Sequence, residues 1–306
     1  FRGRVSAGGA FGFKAEAGRY HLYVSYACPF AHRTLIFRRL KQLEDVISIS
    51  VLDPYWGGVN GWTFRKCNGC TPDDVNGARY LHQLYTKANR NYTGRVTVPL
   101  LWDKREGTAV NNESSEIIRM LNGEFDAFGD AGVDFYPAPL RARIDEMNEF
   151  LQHYVNTGVY RAGFAGTQTD YDEAVDELFQ VLDELEVRLA HRPYLVGNRL
   201  TESDWRLFVT LIRFDAAYYG ALRCNLRRLV DYPNLWDYTR RLYHLPGIAE
   251  TVRLDHIKRH YYDEYAGIIN RTIVPKGPLL DFSPPGVSHE NPQPSLTDIS
   301  SITAMS

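Results

Sequence analysis

The sequence predicts an α/β domain followed by an all-helical domain. A β-branched and aromatic run, His21 to Ser25, leads into a stretch from Pro29 to Leu40 with Leu35, Ile36 and Leu40 at helical spacing. A second alternating run, Val46 to Leu52, comes next, and the order is that of a βαβ unit with parallel strands and a right-handed crossover. From residue 140 the character changes, with Leu178, Leu182, Leu185 and Leu189 repeating at helical spacing.

Size and charge narrow the functional classes. A chain of 306 residues with 44% hydrophobic and 13% aromatic residues can bury one large or two modest cores. The formal net charge of −2 gives no reason to expect a nucleic acid or a membrane surface as partner. Arg227-Arg228 and Lys258-Arg259-His260 read as solvated helix faces. No apolar run approaches the roughly 20 residues of a membrane span. Four cysteines do not make a disulfide scaffold, which favours a reducing compartment: the cytoplasm, or an organelle if a leader has been removed before Phe1.

In chain order, residues 1–19 are a Gly- and Ala-rich lead-in or edge strand, and the βαβ unit follows. Residues 53–94 or so are polar and glycine-punctuated, an insertion with one helix near 78–88; loops of this length tend to be functional. Val96 to Asp103 is a strand interrupted by Pro99, and proline inside a strand belongs at an edge or a special turn. A cis Val98–Pro99 bond would present the Val98 backbone to a bound peptide. Ala109-Val110 makes a short strand, and Ser114 or Ser115 caps the next helix. The α/β domain thus covers residues 1–125, a linker 126–139 and the helical domain 140–276. Thr201 and Asp204 form a capping box with Asp in the place of the usual Glu or Gln. Helices are expected at about 221–230, 234–243 and 247–259, and residues 277–306 make an extended, poorly ordered tail.

The residue that stands out is Cys28, between the first strand and its helix and followed by Pro29 at the first helical turn. Unsatisfied N–H groups and the positive end of the helix dipole favour a thiolate there, as in cysteines whose pKa falls from about 8.5 to roughly 3.5–7.5. A lone cysteine is more often a small buried hydrophobe, but strand, Cys-Pro and helix together make Cys28 the candidate nucleophile. The position of a second thiol in a Cys-x-x-Cys motif is held by Ala31, so a disulfide formed at Cys28 needs an external resolving thiol.

The order strand–Cys28–helix–strand, Val98-Pro99, Glu113-Ser114 resembles the thioredoxin-like half of the glutathione transferases. Longer strings resemble the xi class, also called glutathionyl-hydroquinone reductases. They are Tyr-Val-Ser-Tyr-Ala-Cys-Pro-Phe-Ala-His-Arg-Thr-Leu (23–35), Gly94 to Asp103, Asn111 to Met120, Gly158 to Ala165 and Asp255 to Tyr262. The resemblance runs from about residue 10 to about 278. It implies a thioredoxin-like βαβ…ββα domain plus an all-α domain. It also implies an enzyme that uses glutathione as co-substrate, with no metal, and acts on glutathionylated hydroquinones as a homodimer. By the same resemblance Cys28 is the nucleophile and Trp62, Val98, Pro99, Glu113 and Ser114 bind glutathione. A carboxylate suits an ammonium, and a helix N-terminus suits a carboxylate. Tyr160 and Tyr261 correspond to tyrosines of the hydroquinone pocket, where a phenol can stack and donate.

Three places depart from the family pattern. Phe30 stands where Trp is usual, keeping the aromatic bulk without the N–H donor. Arg4 stands where Trp is common. Cys67-Asn68-Gly69-Cys70 is no family hallmark: it reads as half a metal site, a redox pair or two loop thiols. Taken singly, the tyrosines read as packing, Glu113-Ser114 as a helix cap, Cys224 as buried and inert, and His32 and Arg33 as orienting groups. Two other functions stand against the reductase: a conjugating transferase using Ser25 or Tyr26, and a non-catalytic ligand-binding protein of the same fold.

Overall fold

The computed structural model describes residues 1–56, 60–264 and 273–285. They fall into two compact units: residues 1–133 with 251–264, and residues 134–250 with those that follow 264.

In the first unit, strands β1 (Val5–Ser6) and β2 (Phe13–Lys14) pair in parallel as a small separate sheet. The main sheet holds β3 (Tyr20–Val24), β4 (Ser48–Val51), β5 (Leu100–Asp103) and β6 (Thr108–Asn111), in the order β4-β3-β5-β6. Every residue of β3 is buried, as a central strand requires. It runs parallel to β4, with helix α1 (Pro29–Leu40) as the connection, and antiparallel to β5. This is the expected βαβ…ββα arrangement. Arg19 reaches across the sheet to Asp103, Nε lying 2.9 Å from Oδ2 with both side chains buried, and so ties the start of β3 to the end of β5. The insertion carries helix α2 (Leu81–Ala88), packed near β6. Helix α3 (Ser114–Gly123) packs against α1. Its cap is Glu113 rather than Ser114 or Ser115: the Glu113 backbone is extended and its carboxylate takes the Ser115 N–H at 3.1 Å.

Residues 126–133, expected as linker, are packed into this unit. The Lys41 ammonium, buried at the end of α1, donates to Asp126 (2.8 Å) and to the Val133 carbonyl (2.6 Å). Gly129 lies so close to Lys41 that a Cβ would sit 2.3 Å from its carbonyl oxygen. Residues 251–264, expected in the helical domain, also group with the first unit. Thr251 Oγ1 bonds His32 Nε2 at 2.8 Å, and His260 Nδ1 donates to the Pro54 carbonyl at 2.7 Å.

The second unit holds α4 (Arg141–Leu151), α5 (Gly158–Gly163), α6 (Gln168–Ala190), α7 (Glu202–Arg213), α8 (Tyr219–Ala221) and α9 (Pro233–Tyr243). The buried stripe of α6 is the predicted one, Leu178, Leu182, Leu185 and Leu189, and α6 packs on α5 and α9. All of α7 is buried. The expected helix 221–230 does not form. Arg223 takes a left-handed conformation with φ of 59° and ends the helix after Ala221. The Asp215 carboxylate then receives the N–H groups of Leu229 and Val230. The expected helix 247–259 is confined to α10 (Leu254–Arg259), after a short turn at Ala249–Thr251. Within the expected tail, residues 277–285 form no helix or strand. Phe282 nevertheless packs on Tyr243 and Trp236 at 4.8 and 5.3 Å, and His244 Nε2 donates to its carbonyl at 2.6 Å. Residues 286–306 lie outside the described residues, as do 57–59 of the insertion.

Asp204 nucleates α7 as the sequence suggests. Fully buried, it accepts from the N–H groups of Leu195 (2.9 Å) and Thr201 (2.8 Å) and from the hydroxyls of Thr201 (3.0 Å) and Tyr238 (2.8 Å). Replacing it strands four buried donors. Asp204→Ala should destabilise the protein by about 3–5 kcal/mol and Tyr238→Phe by about 1–2 kcal/mol, read from the shift in the denaturant midpoint. An Asp204→Ala midpoint within experimental error of the unsubstituted protein would contradict this.

Candidate active site

Cys28 is the N-cap of α1, with Pro29 as first helical residue. Proline costs nothing there, because the first N–H groups of a helix have no intrahelical acceptor. The Cys28 N–H closes a turn onto Ser25 O (3.2 Å), and His32 N–H returns to Cys28 O (3.0 Å). The thiol is partly exposed, whereas Cys224 is buried and its thiol is pushed up to about 12 by burial. Cys28 Sγ lies 3.5 Å from the Val98 carbonyl oxygen, and the Val98–Pro99 bond is cis, as expected. A reachable thiol and the end of an irregular backbone segment therefore stand side by side. Of the two alternative hydroxyls, that of Ser25 is on a fully buried residue and that of Tyr26 on a half-buried one.

A second cluster forms where α1 meets the start of α3. Glu113 accepts from the Ser115 N–H and hydroxyl, and Ser114 Oγ lies 3.4 Å from its carboxylate. Arg33 Nη1 donates to Ser114 Oγ at 3.4 Å. Burial pushes the Glu113 carboxyl up. The Ser115 bonds, with Arg2 and Arg33, outweigh that and hold it below the ordinary carboxylate value. A carboxylate, a buried guanidinium and a helix N-terminus in one place can hold both charges of an amino-acid end group. Arg33 was read from sequence only as an orienting group. Its spacing of three from Phe30 on a helix was the available signal: the guanidinium lies 4.9 Å from the centre of the Phe30 ring. That contact uses a ring face, which Phe provides as well as Trp, and needs no indole N–H.

A third cluster is aromatic. Trp62, only 7% exposed, stacks on the His260 ring at 5.5 Å and 10°, and Tyr261 meets His260 edge-on at 5.0 Å. Tyr261 is 1% exposed. His260, expected with Lys258 and Arg259 on a solvated helix face, is instead 5% exposed and belongs to this cluster, and no local pattern points to it. Tyr160 belongs to the second unit, where it stacks on Phe164 at 6.1 Å and meets Tyr218 edge-on at 6.0 Å. Tyr218 was not singled out either. Among the described residues, no helix is long and apolar enough to cross a membrane.

Comparison with known proteins bears directly on this site. The family model for the glutathione S-transferase N-terminal domain matches residues 27–124, and that for the C-terminal domain matches residues 168–241. The chain is 52% identical over 278 residues to the glutathionyl-hydroquinone reductase PcpF of Sphingobium chlorophenolicum, an alignment covering 91% of this chain and 87% of that protein. The xi class glutathione transferase from Natrialba magadii superposes with a TM-score of 0.90 at 50% identity, over 93% of this chain and 87% of that one. The glutathione-bound structure of YqjG, a glutathione transferase homologue from Escherichia coli K-12, gives 0.91 at 49% identity, over 94% and 95%. With about half its residues identical over nine-tenths of its length, the chain belongs to the xi class of the glutathione S-transferase family, beside the glutathionyl-hydroquinone reductases.

Proposed function

We propose that the protein is a glutathione-dependent reductase that removes glutathione from S-glutathionyl-hydroquinones through Cys28. The observation that carries this reading is the partly exposed Cys28 thiol at the N-terminus of α1, beside Val98 O and with Ala31 where a resolving thiol would stand. The Cys28 thiolate attacks the sulfur of the conjugate, the carbon–sulfur bond breaks, and the ring carbon takes a proton to give the free hydroquinone. Cys28 is left as a mixed disulfide with glutathione. A second glutathione attacks that disulfide, releasing glutathione disulfide and restoring the Cys28 thiol. The relative bearing the reductase name and the glutathione-bound neighbour support substrate and co-substrate.

Each remaining site residue has a role in this scheme. Glu113 takes the γ-glutamyl ammonium and Ser114, at the first turn of α3, the adjacent carboxylate. The Val98 backbone, turned by Pro99, pairs with the peptide, and Trp62 packs on it. We assign the hydroquinone to half-buried Tyr160, with a ring to stack and a hydroxyl to donate; Tyr261, 1% exposed, packs edge-on against His260 in the first unit. A conjugating transferase built on Ser25 is disfavoured, because that hydroxyl has no exposed surface. The assembly we propose is a homodimer, and Phe11 and Phe128, 57% and 40% exposed, are apolar surface that a partner could cover. Reduced glutathione as reductant places the reaction in a reducing compartment, and we propose the cytoplasm.

Cys28→Ser should lower glutathione-dependent hydroquinone release at least about 1,000-fold, because the serine hydroxyl cannot form the mixed disulfide of this cycle. A variant that keeps the full rate would remove the basis for this function. Glu113→Gln should raise the KM for glutathione about 10-fold or more with kcat nearly unchanged, the signature of lost uniform binding. The lowered pKa of Glu113 fixes the sign of its pH dependence. The anion persists below the ordinary value of 4.5 and is lost only as pH falls through the lowered pKa. The ratio of the glutathione KM of Glu113→Gln to that of the unsubstituted protein should therefore stay constant as the pH descends to 4.5, and a ratio that falls already above that pH would contradict the assignment.

A further inference from the structure

The Cys28 cycle makes no use of the other sulfur chemistry in the first unit. Cys67 and Cys70, in the loop between β4 and α2, are joined by a disulfide. Both are partly buried, so their sulfurs are within reach of a small thiol, unlike Cys224. The four residues form a turn: Cys70 N–H bonds Cys67 O at 3.0 Å, and Gly69 has a φ of +80°. The turn is pressed against the segment that carries α10. A Cβ on Gly69 would lie 2.1 Å from Arg253 Nη1, so a side chain there would push the guanidinium off the turn. The Asn68 carbonyl receives Arg253 Nη2 at 3.3 Å and His256 Nε2 at 2.5 Å. That segment continues into His260, which stacks on Trp62, and Tyr261, which meets His260 edge-on.

His256 supplies the second, independent observation. It is 2% exposed, and one of its ring nitrogens lies within 4.8 Å of both sulfurs. Because a carbonyl only accepts, Nε2 carries the ring proton, and Nδ1 is a bare acceptor. Nδ1 is buried with no hydrogen-bond partner among the described residues. With the disulfide closed, neither sulfur has a proton to offer. Opening the disulfide creates two S–H donors beside this ring, one of whose nitrogens lies within 4.8 Å of both sulfurs.

We propose that Cys67 and Cys70 form a second thiol–disulfide centre, opened by glutathione and closed by glutathione disulfide, whose closed form clamps residues 253–261 through the Asn68 carbonyl. A glutathione thiolate attacks one sulfur, giving a mixed disulfide and a thiolate on the other cysteine, which takes the proton the glutathione gave up. A second glutathione attacks the mixed disulfide, leaving two cysteine thiols and one glutathione disulfide. Two electrons pass from two glutathiones to the protein, and the reverse reaction closes the pair. His256 is a positioning residue: it holds the Asn68 carbonyl in the closed form and stands beside both sulfurs when the pair opens or closes. The centre shares glutathione with the proposed reaction but none of its steps.

The test uses the Cys28→Ser protein, so that failure here leaves the Cys28 cycle untouched. The full chain is equilibrated with glutathione and glutathione disulfide at graded ratios, quenched with an alkylating agent and mapped by mass spectrometry. Cys67 and Cys70 should change together in one two-electron transition, and deuterium uptake across residues 253–261 should rise several-fold in the reduced form. His256→Gln should slow closure of the pair by glutathione disulfide while leaving Cys70 and Cys67 able to close. The proposal is overturned if the pair does not respond to the ratio, or if each cysteine keeps its own glutathione adduct. Uptake that is the same in both forms, or reduced protein that retains one zinc ion per chain after gel filtration in added zinc, would overturn it equally.

Discussion

Everything at the candidate site follows from where β3 must end. The strand is buried along its whole length, parallel to β4 on one side and antiparallel to β5 on the other. The chain leaving it has to climb off the sheet before it can return as β4, and it does so as α1. Cys28 falls at that transition, in extended backbone with the first helical turn just beyond. There a side chain meets the first N–H groups of a helix in a partly exposed position. Val98 arrives at the same edge because β5 begins two residues after it, immediately past Pro99. Thiol and carbonyl are neighbours because two strands pair, although seventy residues separate them.

The first unit is completed by a segment from far along the chain. Residues 251–264 lie in sequence after the helices of the second unit and bring two imidazoles, His256 and His260, to the first. His260 lies flat on Trp62, His256 takes the Asn68 carbonyl, and Thr251 holds His32 on α1. These contacts fix the insertion loop, the helix behind Cys28 and Tyr261 relative to one another within that unit. A loop of about forty residues thereby acquires a second attachment, which limits the entropy it would otherwise keep.

The parts of this arrangement that were legible in the sequence are those set by short-range physics. Period and β-branching located β3, α1 and α6, and Pro99 inside a strand pointed to its special bond. Thr201 and Asp204 announced the start of α7. The misreadings arose where distant contacts or single-residue conformations decide. Glu113 displaced the serines as cap of α3, because an extended backbone lets the longer carboxylate turn back onto Ser115. Arg223 ended a helix that its composition would have allowed to continue. Lys41 drew residues 126–133 into the first unit, and nothing local in that stretch signals a buried ammonium. Likewise His260 has no motif; it becomes a site residue only once Trp62 lies beneath it. The tail's Phe282 shows the same limit, since its polar, proline-rich setting hides an aromatic contact.

The account rests on Cys28 carrying glutathione away from its substrate, and a single turnover tests that most directly. Protein freed of glutathione is mixed with a slight excess of glutathionyl-hydroquinone, quenched in acid, and both products are measured. One equivalent of hydroquinone per active site should appear without any added thiol, with one glutathionyl group mapped to Cys28 and removed by a later pulse of glutathione. Hydroquinone that appears only after free glutathione is added, with Cys28 unmodified throughout, would contradict it.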